Sequence, residues 1–162
     1  MTDTAIPTTV LTFRDAVAAD LPVLTALYET SGIDTPGFNQ PSTVAAAWTR
    51  LMQQPGVRVR VAEADGQALG TLTLFVLPLL AHNGQAAALV EDVAVHPSAQ
   101  GSGVGRALMD DAMALASAAG CYKLALSSNQ RRTAAHAFYE HLGFERHGVS
   151  FVVPLQETSD AA

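Results

Sequence analysis

Val93-Ala94-Val95-His96-Pro97-Ser98-Ala99-Gln100-Gly101-Ser102-Gly103-Val104-Gly105-Arg106-Ala107-Leu108 is the run on which the reading of this chain turns. A strand ends at His96-Pro97, glycines follow, and a helix opens near Val104. Glycine tolerates left-handed backbone and lets a ligand approach the main chain closely. A helix start leaves about four N–H groups without intrahelical partners and carries partial positive charge. Strand, glycine loop and helix together make an anion site, with phosphate or pyrophosphate the usual occupant. Several charge-assisted bonds of about 1.5–3 kcal/mol each would hold a pyrophosphate without a lysine. A P-loop would place Lys and then Ser/Thr after its last glycine, whereas Arg106-Ala107 follows here. A dinucleotide fold needs its glycines after the first strand and an acid about 20 residues later, but this run comes late and residues 120–128 hold no acid.

Outward from this run the pattern predicts one α/β domain over residues 1–162, with loose ends at 1–9 and 156–162. Val10 to Arg14 reads as a strand. Asp20 starts a helix whose apolar positions Leu21, Leu24, Leu27 and Tyr28 share a face. Ser42 is placed to cap a second helix, with Val44, Ala47, Trp48 and Leu51 as its stripe. Val57, Val59 and Val61 alternate with Arg58 and Arg60, which predicts a strand with one wet face. Asp65-Gly66 and Asn83-Gly84 mark tight turns into strands at 68–77 and 87–95, giving an antiparallel meander. A helix over 104–119 presents Val104, Leu108, Ala112, Leu115 and Ala119, and the following strand, Tyr122 to Ser127, must then run parallel to its predecessor. A helix over 132–141 and a last strand at Val149 to Val153 complete the chain.

With 49% hydrophobic and 15% charged residues the chain suits a packed core, not disorder. A net charge of -6 and scattered basic residues disfavour nucleic acid and membrane surfaces. The most apolar run, 69–81, is too short to span a bilayer, which takes about 20 residues. The one cysteine, Cys121, makes no internal disulfide and reads as a small buried hydrophobe. A soluble, cytoplasmic protein is expected, and no residue cluster has metal-ligand spacing.

The run 93–108 resembles the acetyl-CoA signature of the GCN5-related N-acetyltransferases (GNAT). A second block, Ala135-His136-Ala137-Phe138-Tyr139-Glu140-His141-Leu142-Gly143-Phe144, is similar to that family's later helix. The resemblance implies a mixed, mostly antiparallel sheet of six to seven strands with about four helices. Its central strands would part between Val95 and Tyr122. It implies that Val93, Ala94 and Val95 pair with the pantetheine arm of acetyl-CoA, and that Gln100, Gly101, Ser102, Gly103, Val104, Gly105 and Arg106 wrap the pyrophosphate. Arg132 stands where many members carry a pantetheine-binding Asn, which Asn129 would replace. Glu91 corresponds to a base or amine anchor and Tyr139 to a general acid, with Asp92 and His136 as acceptor contacts. Glu91 and Asp92 are expected on opposite faces of their strand. Likeness to aminoalkylphosphonate and glucosamine-phosphate acetyltransferases implies a small primary amine, carrying an anionic group, as acceptor. A non-catalytic CoA-binding or regulatory domain and a peptide or protein acetyltransferase are the alternatives. Family habit and the apolar stretch 149–155 point to a homodimer.

Overall fold

The computed structural model describes residues 10–155. Two compact units make up the chain, one ending at Leu126 and the other beginning at Ser127.

The first unit is built on a five-stranded sheet in the order β1-β2-β3-β4-β5: β1 (Thr12–Asp15), β2 (Val57–Ala64), β3 (Gln67–Leu77), β4 (Ala87–Val95) and β5 (Leu124–Leu126). The first four strands pair antiparallel, and β5 runs parallel to β4. Helix α1 (Leu21–Thr30), helix α2 (Pro41–Met52) and helix α3 (Val104–Ala118) complete it. Leu24 packs with Ala16, Val59 and Val61, and Trp48 and Leu51 of α2 close over the same cluster. Alternation sends the intervening residues to the other face. There Leu72 and Leu74 are sealed with Leu108, Met109 and Ala112 of α3. Gly70 sets how close α3 comes, since a Cβ there would lie 2.8 Å from Leu108 Cδ1 and 3.0 Å from Ala94 O.

Several sequence expectations need correcting. Arg60, read as lying on a wet face, is buried beneath α3. Its guanidinium is met by Asp111 at 2.7 and 3.1 Å and by Asp15 at 2.8 Å. A long side chain can be covered there because two carboxylates neutralise it. Asp65-Gly66 does form the tight β2–β3 turn, with φ of 52° and 75°. Asn83-Gly84 does not make a two-residue hairpin. Strands β3 and β4 are joined through residues 78–86, where His82, Asn83 and Gly84 are all left-handed and His82 stacks on Tyr122 at 4.5 Å. Helix α2 begins at Pro41 after Gln40, so Ser42 lies within its first turn and is not its cap.

The second unit contains helix α4 (Thr133–His141). Tyr139 stacks edge-on against Phe138 and Phe144 at 5.2 and 5.8 Å. The strand expected at Val149 to Val153 is absent. Residues 149–155 hold no regular structure, and Val149, Phe151, Val152, Val153 and Leu155 are exposed. Among the described residues the sheet therefore has five strands, not six or seven, while the α/β class and the four helices stand.

Candidate active site

Strand β5 pairs with β4 only through Ala88, Leu89 and Val90. No described strand pairs with the same edge of β4 from Glu91 to Val95. The parting falls where the sequence placed it, between Val95 and the strand containing Leu124.

The turn after β4 leads into α3. His96 Nδ1 accepts from Ser98 N–H at 3.2 Å, Ser102 Oγ donates to Ala99 O at 2.6 Å, and Gln100 Nε2 reaches Val95 O at 3.4 Å. These bonds hold the loop without using its leading amides. Gly101 and Gly103 take φ of 78° and 93°, and a Cβ at either would meet nothing within 4 Å. Ala107 N–H is the first amide of α3 bonded back, to Gly103 O at 3.0 Å. The N–H groups of Gly101, Gly103, Val104 and Gly105 find no backbone acceptor among the described residues. Four amides without a backbone acceptor at a helix N-terminus fit a diphosphate. The predicted residues 100–105 thus lie together in the turn that opens α3, with Arg106 exposed on its first turn.

Strand β4 carries the acid pair across an irregularity in its register. Thr71 pairs with Ala94 and Thr73 with Glu91, so β4 holds one more residue than β3 across this stretch. The bulge lies at Asp92, whose φ is 53°. Glu91, opposite Thr73, shares the face that carries Tyr28, and Asp92 lies near enough for its charge to act on Tyr28. Burial first, and the Asp92 charge second, raise the Glu91 carboxyl above its ordinary value. Burial and the charge of Asp34 raise Asp92 likewise.

Tyr28 and Asp34 are parts of this environment that sequence reasoning missed. Tyr28 looked like the end of an apolar stripe. Its phenol is pushed up to about 12, chiefly by burial and then by Asp92, while the Thr73 and Thr71 hydroxyls pull the other way. Ile33 and Asp34 both donate their N–H to Tyr28 O, at 2.9 and 3.1 Å, and Asn39 Nδ2 holds the Asp34 carboxylate at 2.9 Å. Nothing local in the sequence marks Asp34.

In the second unit, Asn129 organises the approach to α4. Its Oδ1 accepts from Arg131 N–H at 2.9 Å, and its carbonyl takes Arg132 N–H at 2.9 Å and the ring nitrogen of His136 at 3.0 Å. His136 is thereby engaged with the backbone. Arg132 is exposed at the helix start. Tyr139 is half-buried and its phenol is raised by burial, with Arg132 opposing. Ser128, also missed by sequence reasoning, has an Oγ shielded from solvent with no hydrogen-bond partner among the described residues. Among the described residues no group of three or more His, Cys, Asp or Glu is placed to hold a metal ion, and no helix is long and apolar enough to cross a membrane.

A parallel strand pair that parts beside a glycine-rich helix start defines a site for an extended ligand ending in a diphosphate. The acetyltransferase (GNAT) domain profile matches residues 55–146, and the chain belongs to that family. A curated relative, glucosamine 6-phosphate N-acetyltransferase of Trypanosoma brucei brucei, is 38% identical over 85 residues. That match takes in 52% of this chain and 56% of the relative, so the chain matches only about half the relative's length. A solved protein of Agrobacterium tumefaciens str. C58, whose assignment as an acetyltransferase is itself provisional, is 31% identical. It superposes with a TM-score of 0.82 over 88% of this chain and 99% of that one. A transcriptional regulator from Bacillus halodurans C-125 is 25% identical, with a TM-score of 0.79 over 90% and 99% of the two chains.

Proposed function

We propose that this protein transfers the acetyl group of acetyl-CoA to the primary amine of a small molecule, by direct attack while both substrates are bound. The observation that carries this reading is the set of open amides at Gly101, Gly103, Val104 and Gly105, beside the unpaired edge of β4. Those amides, with Gln100, Ser102 and Arg106 around them, hold the diphosphate. The backbone of Val93, Ala94 and Val95 pairs with the pantetheine arm, and Asn129 and Arg132 steady it from the start of α4. Acetyl-CoA supplies the activated acyl carbon, and the remaining chemistry belongs to side chains.

An alkylammonium has a pKa near 10.4, so presenting the free amine at pH 7 costs about 4.6 kcal/mol. Glu91, raised by burial and by Asp92, accepts that proton, directly or through water. Asp92 and Asp34 hold the ammonium before it is deprotonated. The amine nitrogen forms its bond to the acyl carbon, the carbon–sulfur bond breaks, and the second proton that the nitrogen sheds passes to solvent. Tyr139, kept protonated by its raised pKa, delivers a proton to the departing thiolate and regains one from solvent. His136 borders the acceptor. The relative's named substrate is a phosphorylated aminosugar, which supports an acceptor with an anionic group, met by Arg131 or Arg132. An acceptor screen with thiol detection tests the reading. Release of CoA with small amines is expected, and its absence with every amine overturns it.

The likeness to a transcriptional regulator favours a second reading, a domain that binds the thioester without turning it over. Tight acetyl-CoA binding with no CoA release from any acceptor would select it. The single cysteine fits a reducing, cytoplasmic setting. The exposed apolar stretch Val149 to Leu155 fits a homodimer seam, which light scattering reads directly.

A further inference from the structure

We propose that His96 is a pH-sensitive catch on the glycine turn: its neutral ring holds the turn in the form that takes the diphosphate, and its protonation lets that form go. The proposal rests on the acetyl-CoA reading above and adds a control to that site. His96 is the residue at which β4 gives way to the turn. Its own N–H donates to Leu69 O at 2.8 Å, which anchors its backbone to the neighbouring strand. Ser98 N–H donates to its Nδ1 at 3.2 Å, and Ser98 Oγ lies 2.7 Å from the same atom. A backbone N–H only donates, so Nδ1 must offer a lone pair, and the proton of the neutral ring sits on Nε2.

An imidazole gains its second proton between about pH 5 and 8. Here that proton goes to Nδ1 and meets the Ser98 N–H head-on. The ring can then only donate, to Ser98 Oγ, and the amide loses its acceptor. The turn beyond hangs on this point. Ala99 N–H donates to His96 O at 2.8 Å, and Gln100 N–H to Pro97 O at 3.3 Å. Ser102 is tied in turn to Ala99 O, by its N–H at 3.3 Å and its hydroxyl at 2.6 Å. Gly101 and Gly103, whose amides the diphosphate needs, flank Ser102. A turn loosened at Ser98 must be ordered by the ligand, and that ordering weakens binding. The imidazolium charge pulls the other way, toward the diphosphate, but salt and solvent screen it on an exposed turn. Neighbouring charges leave the balance unchanged. At this end of the sheet β3 brings Gln67, Ala68 and Leu69, none of which ionises, and Asp65 lies in the turn before them. On β2, Glu63 lies opposite Ala68 and is bound by Arg14, which also binds Asp20 at the start of α1. Arg106 on α3, and Glu91 and Asp92 on β4 itself, complete the set. Among the described residues no carboxylate pairs with His96.

The test compares wild type, His96→Asn and His96→Ala by calorimetry with CoA at about pH 8 and about pH 6, either side of an ordinary imidazole titration. Asparagine offers a side-chain oxygen to the same amide and does not titrate, while alanine offers nothing. Protonation of CoA and of the site acids is common to all three proteins and cancels in the comparison. The loss of CoA affinity on acidification should be about threefold greater in wild type than in His96→Asn, in keeping with the worth of one capping bond. His96→Ala should bind CoA more weakly than His96→Asn at the higher pH. In ligand-free wild type, the NMR resonance of the Ser98 amide should move with those of the His96 ring as pH changes. Equal losses in wild type and His96→Asn would overturn the proposal, and so would a greater loss in His96→Asn, which would show the imidazolium charge winning. A Ser98 amide that ignores the His96 ring, or equal affinities in the two variants at the higher pH, would overturn it too. With CoA still bound by wild type, these results fail His96 alone. No binding of CoA by wild type at either pH fails the acetyl-CoA reading, and the proposal with it.

Discussion

Asp92 shows how one backbone angle changes the chemistry of two carboxylates. A regular strand would point Glu91 and Asp92 to opposite faces, yet the bulge leaves Asp92 in the left-handed region, with its charge acting on Tyr28. Asn tolerates that backbone nearly as well as Asp, so Asp92→Asn removes the charge and keeps the bulge. Glu91 then loses the repulsion that helps raise it. The acid limb of the kcat/KM profile should shift to lower pH in Asp92→Asn. Glu91→Gln should remove that limb and most of the rate. An acid limb that stays in place in Glu91→Gln would take the base role away from Glu91. Tyr139→Phe tests the acid in turn. Losing a general acid typically costs about 100-fold or more in kcat. The ring stacking with Phe138 and Phe144 survives the change, so the melting temperature should hold while turnover falls.

Among the elements, the glycine turn and α3 divide binding from packing. Gly103 sits at φ 93° facing open space, and Gly70 sits under α3 with no room for a methyl. Gly103→Ala imposes a strained backbone and sets a side chain into the glycine turn. It should raise the Kd for CoA at least tenfold, at a modest cost in stability of about 1 kcal/mol. Gly70→Ala pushes α3 away from β3 and should cost about 2 kcal/mol of stability, read by chemical denaturation, with less effect on binding. The same contrast explains what was legible in the sequence. Period and punctuation revealed α1, α3, the meander and the glycine turn, because each is a local pattern of apolar spacing and glycine. Arg60 was misread because its cover, α3, follows some 50 residues later, and alternation alone cannot say which face a later helix will take. The bulge at Asp92 depends on the register against Thr71 and Thr73, which no local pattern displays. Asp34 and Ser128 were missed for a related reason. One is defined by a charge on another element and the other by a bond it lacks.

For the whole molecule, the response of stability to pH follows from two opposed groups of carboxylates. Asp15 and Asp20 are held below their ordinary value of 3.8, first by hydrogen bonds from Arg58 and Arg14 respectively. A depressed folded-state pKa gives stability that is present above the unfolded value and lost as pH falls through the folded one. Their loss therefore begins below about pH 4. Glu91 and Asp92 have the opposite sign. Raised above 4.5 and 3.8, they favour the fold fully only below those values, and that favour disappears as pH rises through their folded pKa. Lowering the pH from neutral thus protonates the site acids before it touches the arginine-bound pair. The melting temperature should rise by a small amount as pH falls from neutral toward the ordinary carboxylate range, then fall below about pH 4. In Asp92→Asn the rise should flatten, because one of the two acids no longer titrates and the other is less raised. The acid collapse should remain, since Asp15 and Asp20 keep their arginines. A wild-type melting curve that falls steadily from pH 7 would show that the site carboxylates impose no such strain on the fold.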